Sequence, residues 1–205
     1  MKLYGHPMST CTRKVLTVLA EKGHEAEFVL VDLMKGEQKS PENLARNPFG
    51  VVPTLEDDDF TIYESRAIIR YLDQRLPGTP LTPTELRARG RMDQWISVEQ
   101  SYFSTPAVTI MMQRLFMPMR GQQTDEEKVK AASAEVARTL DVVDRALASQ
   151  DYLAGSSYSL ADISWMPYLH ALVVAKAGEL ITARPHVAAW WKRLSERPAW
   201  VKVSS

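Results

Sequence analysis

The sequence predicts an α/β domain followed by an all-helical domain, in a chain of 205 residues. Up to about residue 80, short β-like runs alternate with amphipathic helical segments. After that point no convincing strand follows, and long helical patterns dominate. The segment PGTPLTP at residues 77–83 concentrates turn-forming residues, which favours a linker. The predicted boundaries are 1–77 for the first domain, 78–84 for the linker and 85–205 for the second domain.

The first predicted elements are a strand, a helix and a second strand. KLYG reads as a strand, and Val15, Val18 and Leu19 then recur with helical spacing up to Gly23, which can end the helix. EFVLVDL is rich in β-branched and apolar residues and predicts the second strand. Such β-α-β connections are right-handed.

A second helix and a hairpin complete the first domain. Ser40-Pro41-Glu42 combines an N-cap serine, a proline at the first helical position and an early acid, which predicts a short helix to about Arg46. VVPTLED and FTIYE predict two strands joined at Asp57-Asp58-Asp59, which we interpret as a solvated turn. ESRAIIRYLDQRL predicts the last helix, so the order is β-α-β-α-β-β-α.

The second domain contains four long helical patterns, at about 83–118, 125–149, 159–176 and 185–196. The third begins with Ser159-Leu160-Ala161-Asp162, which has the pattern of a capping box. We interpret this box as a structural device.

The composition excludes several classes of function. Lys+Arg and Asp+Glu are each 25, so the net charge is zero and no broad field attracts nucleic acid or a membrane. A single cysteine, Cys11, excludes an internal disulfide and metal sites built on paired cysteines, and the four histidines lack metal-ligand spacing. Without a signal-peptide pattern or a long apolar run, we expect a cytoplasmic protein that uses no metal and binds a small, mostly neutral or zwitterionic ligand.

Three loops deliver the chain to helix starts, in GHPMSTCTRK, KGEQKSPENLARNPFGVVPTLED and YESRAI. Helix N-termini are ready anion sites. Arg13 and Lys14 lie in the first turns of the first helix, where cations oppose the helix dipole, so an anion is expected nearby. The Val52–Pro53 bond is a candidate for the cis form, which would leave the Val52 backbone free to pair with an extended, peptide-like ligand.

The element order, with a proline before the third strand and Glu-Ser opening the last helix, resembles the thioredoxin-like domain of a cytosolic glutathione transferase. The linker and helical half match as well, so the resemblance covers essentially the whole chain. STCTRKV, KGEQKSPE, NPFGVVPTLED and ESRAI are most similar to the phi class. The resemblance implies a homodimeric detoxification enzyme that conjugates glutathione, its co-substrate, to hydrophobic electrophiles, with Phe49 as a possible dimer contact.

The resemblance also implies the site residues. Ser9 falls on the serine that activates the thiol, and a neighbouring cation, Arg13, favours the thiolate. The glutathione-binding positions are those facing the glycyl carboxylate, the cysteinyl backbone and the γ-glutamyl end: Gln38 and Lys39, Val52 and Pro53, and Glu64 and Ser65. One position departs from the class, because Val51 stands where a glutamine is usual.

A methionine- and aromatic-rich helix, SVEQSYFSTPAVTIMMQRLFMPM, either packs as interhelical core or walls the electrophile pocket. The resemblance favours a pocket lined by Met8, Met112 and Phe116.

Two alternatives use the same fold. Cys11 could form a mixed disulfide with glutathione in a thiol reductase or peroxidase, although such enzymes usually carry the cysteine where Ser9 stands. A non-catalytic ligand-binding protein is the other alternative, and Val51 slightly favours it.

Overall fold

The computed structural model describes residues 1–205, and its contacts divide the chain into two compact units. The first unit contains Met1–Leu81 together with Pro198–Ser205, and the second contains Thr82–Arg197. The predicted second domain, 85–205, therefore differs at its C-terminal end. The last helix joins the first unit because it packs against the helix that follows the first strand, and Trp200 is buried there.

The first unit is built on a four-stranded sheet with the order β2-β1-β3-β4. Its strands are β1 (Lys2–Gly5), β2 (Glu27–Leu30), β3 (Thr54–Asp57) and β4 (Phe60–Tyr63). β1 and β2 are parallel, whereas β3 is antiparallel to both β1 and β4. The ends of β1, β2 and β4 therefore lie with the start of β3 at one edge of the sheet, which we call the Gly5 edge.

The helices of this unit are α1 (Thr10–Glu21), α2 (Pro41–Arg46), α3 (Ser65–Arg75) and, at the C-terminus, α11 (Pro198–Ser204). A short 3-10 turn, Glu37–Lys39, precedes α2. The core lies where α1 and α3 meet one face of the sheet, because Leu3 and Leu55 are register partners there and are fully buried. Val15, Val18 and Leu72 complete this apolar layer.

The hairpin turn is only partly solvated, which corrects the sequence interpretation. Asp58 adopts a left-handed φ of 55° at the turn. Asp57, by contrast, belongs to β3 and is buried, where its carboxylate accepts hydrogen bonds from the Tyr71 hydroxyl at 2.7 Å and Arg75 Nε at 3.1 Å. The ion pair with Arg75 of α3 allows this acid to be buried.

The second unit is entirely helical. Its helices are α4 (Leu86–Val98), α5 (Ser104–Met111), α6 (Met117–Met119), α7 (Glu126–Leu147), α8 (Leu160–Val174), α9 (Glu179–Thr182) and α10 (Pro185–Ser195). α8 is buried over nearly all its length. Trp165 of this helix stacks on Phe103 with ring centroids 4.4 Å apart and meets Trp190 edge-on, so aromatic packing forms the centre of the unit.

The capping box that opens α8 is confirmed. The Asp162 carboxylate accepts from the Ser159 backbone N–H at 2.9 Å, and Ser159 Oγ accepts from the Ala161 N–H at 3.3 Å. Asp162 also accepts from the backbone N–H of Leu153 and from Trp190 Nε1. Burial nevertheless raises the pKa of this carboxyl group, and these three donors, with the Ser159 hydroxyl at 3.0 Å as a fourth, oppose that rise.

The segment predicted as one helix over 83–118 contains two wide, π-type turns, at Glu99–Phe103 and Met112–Phe116. Such turns insert an extra residue without breaking the helix, so the apolar period does not reveal them. No helix of the chain is both long and apolar enough to cross a membrane.

Candidate active site

The loops that carry the sequence-predicted glutathione residues meet at the Gly5 edge. Ser9 follows β1, Gln38 and Lys39 follow β2, Val52 and Pro53 precede β3, and Glu64 and Ser65 follow β4. Strand register brings them together, because Gly5 pairs with Leu30, Tyr4 pairs with Thr54, and Thr54 pairs with Tyr63. Four separate stretches of sequence thus meet at the Gly5 edge of the sheet.

Ser9 is the N-cap of α1. Its backbone is extended, with φ −72° and ψ 122°, and its Oγ accepts a hydrogen bond from the Thr12 N–H at 3.2 Å. A hydroxyl has one proton to donate besides its two acceptor positions. Acting as a cap therefore leaves the Ser9 proton available for a ligand, at the positively polarised end of a helix.

Arg13 lies one turn further along α1. Its Nε donates to the backbone carbonyl of Pro7 at 2.8 Å, so the side chain folds back over the loop that carries Met8 and Ser9. Burial lowers the pKa of this guanidinium from its ordinary value. The structure thus gives Arg13 a role in fixing the loop before Ser9, in addition to its charge.

Gln38 and Lys39 belong to the 3-10 turn that leads into α2. Lys39 Nζ donates to the Phe49 carbonyl at 2.9 Å, and the Gln38 carbonyl accepts from Asn43 Nδ2 at 2.9 Å. Gln38 Oε1 is buried and has no hydrogen-bond partner. Buried polar atoms are almost always paired, so this amide is poised to meet a polar group of a ligand.

The loop before β3 is held by a buried side chain. Asn47 Nδ2 donates to the Val51 carbonyl at 3.0 Å, while Asn47 Oδ1 accepts from the Phe49 N–H at 3.1 Å. The Val52–Pro53 peptide bond is cis, as the sequence suggested. The backbone N–H and C=O of Val52 form no hydrogen bond with another backbone group.

Glu64 and Ser65 form the junction between β4 and α3. Glu64 has a positive φ of 72°, a conformation that costs energy for any residue other than glycine. The residue is exposed, whereas Ser65 is buried at the first position of α3. The first N–H groups of a helix have no partner inside it, so this end of α3 offers donors to an anionic group.

The three residues predicted for the electrophile pocket lie in different units. Met8 is 45% exposed on the loop before Ser9 in the first unit. Met112 and Phe116 are half-buried at the two ends of the second wide turn in the second unit. Each is accessible within its own unit.

Cys11 lies in the first turn of α1 and is half-buried, and its thiol forms no disulfide. Sequence reasoning missed two residues that shape the site, Asn47 and Gly50. An asparagine between a short helix and a proline is the signal that could have indicated a side chain folded onto its own loop.

Comparison with known proteins identifies the family. Residues 1–74 match the description "Glutathione S-transferase, N-terminal domain", and residues 107–198 match "Glutathione S-transferase, C-terminal domain". Glutathione S-transferase F10 of Arabidopsis thaliana is 40% identical over 203 residues, covering 97% of this chain and 94% of the relative. Glutathione S-transferase 4 of Zea mays is 37% identical, covering 100% and 92%.

Solved structures agree over the full length. Glutathione transferase F7 from Populus trichocarpa superposes with a TM-score of 0.94 at 41% identity, covering 99% of this chain and 97% of that one. Glutathione S-transferase I from maize, solved in complex with an atrazine glutathione conjugate, gives a TM-score of 0.91 at 37% identity, covering 99% and 95%. The predicted family and fold are confirmed: the chain belongs to the glutathione S-transferase family and is a phi-class enzyme that conjugates glutathione to electrophiles.

Proposed function

We propose that Ser9 activates the glutathione thiol by donating its hydroxyl proton in a hydrogen bond to the sulfur. The observation that carries this proposal is the Ser9 cap, which leaves a hydroxyl donor at the N-terminus of α1, on the same Gly5 edge as the Val52 backbone. A bound tripeptide that pairs with Val52 through its cysteinyl unit would bring its sulfur towards that helix end.

The energetics of this step are modest. A free thiol with a pKa of about 8.5 is only a few per cent ionised at pH 7. Lowering that pKa by one to two units requires about 1.4–2.7 kcal/mol of preferential stabilisation of the thiolate. A hydroxyl donor and a helix N-terminus act in this direction, and Arg13 adds positive charge at the same end of α1. Ser9 is a hydrogen-bond donor here and forms no covalent bond.

The remaining site residues would hold the ends of the tripeptide. Lys39 and Gln38 would bind the glycyl carboxylate, Lys39 by exchanging its bond to the Phe49 carbonyl for a charged partner. Ser65 and the start of α3 would bind the γ-glutamyl carboxylate, and Glu64 would bind the γ-glutamyl ammonium. Both ends of glutathione are charged, so both suit these partners.

The reaction balances without any further reactant. The thiol proton leaves to solvent, the thiolate sulfur forms a bond to an electrophilic carbon, and a leaving group such as halide departs with its bonding pair. We propose that the apolar part of the substrate contacts Met8, Met112 and Phe116. All three side chains are accessible; the two methionines are flexible, and Phe116 is aromatic. The maize relative is solved with an atrazine glutathione conjugate, which supports an atrazine-like electrophile for this enzyme.

We further propose that the enzyme is a cytoplasmic homodimer with Phe49 at the interface. Phe49 is 64% exposed and its ring meets Tyr63 edge-on, so an aromatic side chain is presented on the surface without a full apolar cover. Sedimentation equilibrium of the protein and of Phe49→Ser tests this, with a dimer expected for the former and a larger monomer fraction for the variant.

Two substitutions of Ser9 separate thiol activation from helix capping. Ser9→Ala removes both the cap and the donor, whereas Ser9→Asp keeps a good cap but supplies a negative charge in place of a donor.

The bound thiol is titrated by its thiolate absorbance, and conjugation of an aryl halide is measured at pH 7. We expect both variants to raise the thiol pKa by about one to two units and, because the thiolate fraction at pH 7 falls accordingly, to lower the rate about 8- to 25-fold. Only Ser9→Ala should lose stability, by about 1 kcal/mol. A rate that followed stability instead would remove Ser9 from the chemistry.

A further inference from the structure

α2 directly follows the turn that contains Gln38 and Lys39, yet it has almost no buried apolar residue to anchor it. The helix has six residues, and Asn43 is the only buried one. Helices shorter than about 12 residues are marginal in water unless tertiary contacts hold them. Leu44 is exposed. Hydrophobic packing therefore does not explain why α2, and the Gln38–Lys39 turn before it, keep their position.

A polar cluster around Arg46, the last residue of α2, supplies the missing anchor. Arg46 Nε donates to Glu56 Oε1 of β3 at 3.1 Å, and Nη2 donates to Glu42 Oε1 at 2.7 Å. The guanidinium carbon lies 4.2 Å from the centre of the Tyr4 ring of β1. The Tyr4 hydroxyl donates to Glu56 Oε2 at 2.8 Å, so both oxygens of that carboxylate are used.

The cluster is shielded enough to matter. The Arg46 and Glu56 side chains are 23% and 27% exposed. Charge-assisted bonds and a cation over an aromatic face are stronger at such partly desolvated positions than on an open surface. Burial, followed by the hydrogen bond to Glu56, raises the pKa of Tyr4. The cluster therefore fixes the C-terminal end of α2 to two strands of the sheet.

The other end of α2 is joined to the glutathione turn. Asn43 Nδ2 donates to the Gln38 carbonyl at 2.9 Å, and Ser40 caps the helix by accepting from the Asn43 N–H. A displacement of α2 would thus be passed directly to Gln38 and Lys39. Outside α2, Lys39 is also held by its bond to the Phe49 carbonyl.

We propose that Arg46 is a positioning residue for glutathione binding: it locks α2 to Tyr4 and Glu56 and thereby holds Gln38 and Lys39 where they meet the glycyl carboxylate. The proposal rests on the proposed function, because it uses those two residues as the carboxylate site. Arg46 itself touches no ligand in this scheme.

The test compares two ligands in matched variants. Glutathione and γ-glutamylcysteine, which lacks the glycyl unit, are titrated by calorimetry into the full-length protein, Arg46→Met and Arg75→Met. Arg75 is the control, because it forms the same kind of cluster, with Tyr71 and Asp57, on the residue of β3 next to Glu56, but it ties α3 rather than α2 to the sheet. Hydrogen exchange of residues 37–46 is followed in the same proteins.

We expect Arg46→Met to raise the Kd for glutathione about tenfold, a factor equivalent to 1.4 kcal/mol. The Kd for γ-glutamylcysteine should stay within about twofold, and exchange should accelerate over residues 37–46. Arg75→Met should change none of these. Arg46→Lys keeps the charge but loses the planar fork, so an intermediate Kd is expected, and this variant serves if Arg46→Met does not fold.

Equal losses for both ligands, or identical behaviour of the Arg46 and Arg75 variants, would overturn the positioning role of Arg46 while leaving the proposed function intact. If the unaltered protein bound both ligands equally well, the carboxylate site at Gln38 and Lys39 would be wrong, and the positioning role of Arg46 would fall with it, whereas activation of the thiol by Ser9 would still stand.

Discussion

The side chain of Lys39 crosses directly over Gly50. A Cβ atom on Gly50 would lie 2.7 Å from Lys39 Cδ and 2.9 Å from Nζ. Gly50 also has a positive φ of 59°. The ammonium group reaches the Phe49 carbonyl only because this glycine has no side chain and adopts a left-handed backbone.

Gly50→Ala should therefore weaken glutathione binding and destabilise the protein. The added methyl strains the backbone by about 1 kcal/mol or more and displaces Lys39. We expect chemical denaturation to show a loss of about 1–2 kcal/mol and calorimetry to show weaker glutathione binding.

Gly90→Ala is the control, since Gly90 lies inside α4 with nothing within 4 Å of a new Cβ. It should stabilise the protein by about 0.5–1 kcal/mol; equal effects at the two glycines would contradict this reading.

Lys22→Met should be among the most destabilising substitutions in the first unit. Lys22 Nζ lies 2.6 Å from Asp73 Oδ1, and both side chains are almost fully buried. The ammonium group also donates to the carbonyls of Asp73 and Thr79. Removing one member of a buried pair leaves the other charge poorly compensated, which costs about 3 kcal/mol or more.

Urea denaturation measures this loss, with Lys2→Met as the matched control. Lys2 forms an exposed pair with Glu27 at 3.6 Å, and exposed pairs contribute about 0–1 kcal/mol. Comparable losses in the two variants would show that burial of the Lys22–Asp73 pair carries no special cost.

Cys11→Ser should leave aryl halide conjugation within about twofold of the unaltered enzyme, a change equivalent to less than 0.5 kcal/mol. Cys11 is half-buried inside the first turn of α1, whereas Ser9 occupies the cap. Disulfide reduction and hydroperoxide turnover are measured beside conjugation. Loss of either with conjugation preserved would assign a redox role to Cys11 and revive the reductase alternative.

The cap of α7 should make stability depend on pH in the acid range. Asp125 accepts from the Lys128 N–H at 3.1 Å, and this bond, followed by the Lys128 side chain, lowers the pKa of the carboxyl group. A lowered folded-state pKa means that the stabilisation is present above the ordinary value of 3.8 and is lost as the pH falls below it. Melting temperatures of the protein and of Asp125→Asn, measured from pH 6 to pH 2.5, check this. Asparagine caps without titrating, so the difference between the two should shrink or reverse at low pH.

Much of the fold was predictable because local chemistry agrees with the final structure. The strands, the Ser40 cap with Pro41, and the box between Ser159 and Asp162 are encoded within a few residues of one another. The features that were missed depend on distant partners. Asp57 was predicted to lie in a solvated turn, because its partners Tyr71 and Arg75 are distant in the sequence. The two wide turns of the long helix do not change the spacing of its apolar residues visibly, so that spacing could not predict them.

The site was predictable only through resemblance. Ser9 alone reads as an ordinary cap, which it also is. Strand register is what gathers residues 9, 38, 52 and 65 at one edge, and pairing between strands is not visible in any one segment. Asn47 was missed because its side chain bonds to its own loop, which the sequence does not show. Gly50 was missed because its role is to leave room for the Lys39 side chain.

Because residues 198–205 pack on α1, the helical unit is an insertion within the thioredoxin-like unit. Exchanging helical units between relatives therefore needs two junctions, near residues 81 and 197. A chimera spliced at the first junction alone would import a foreign C-terminal segment onto the helix that carries Ser9, and a purification tag fused to the C-terminus would sit on the glutathione-binding half of the enzyme.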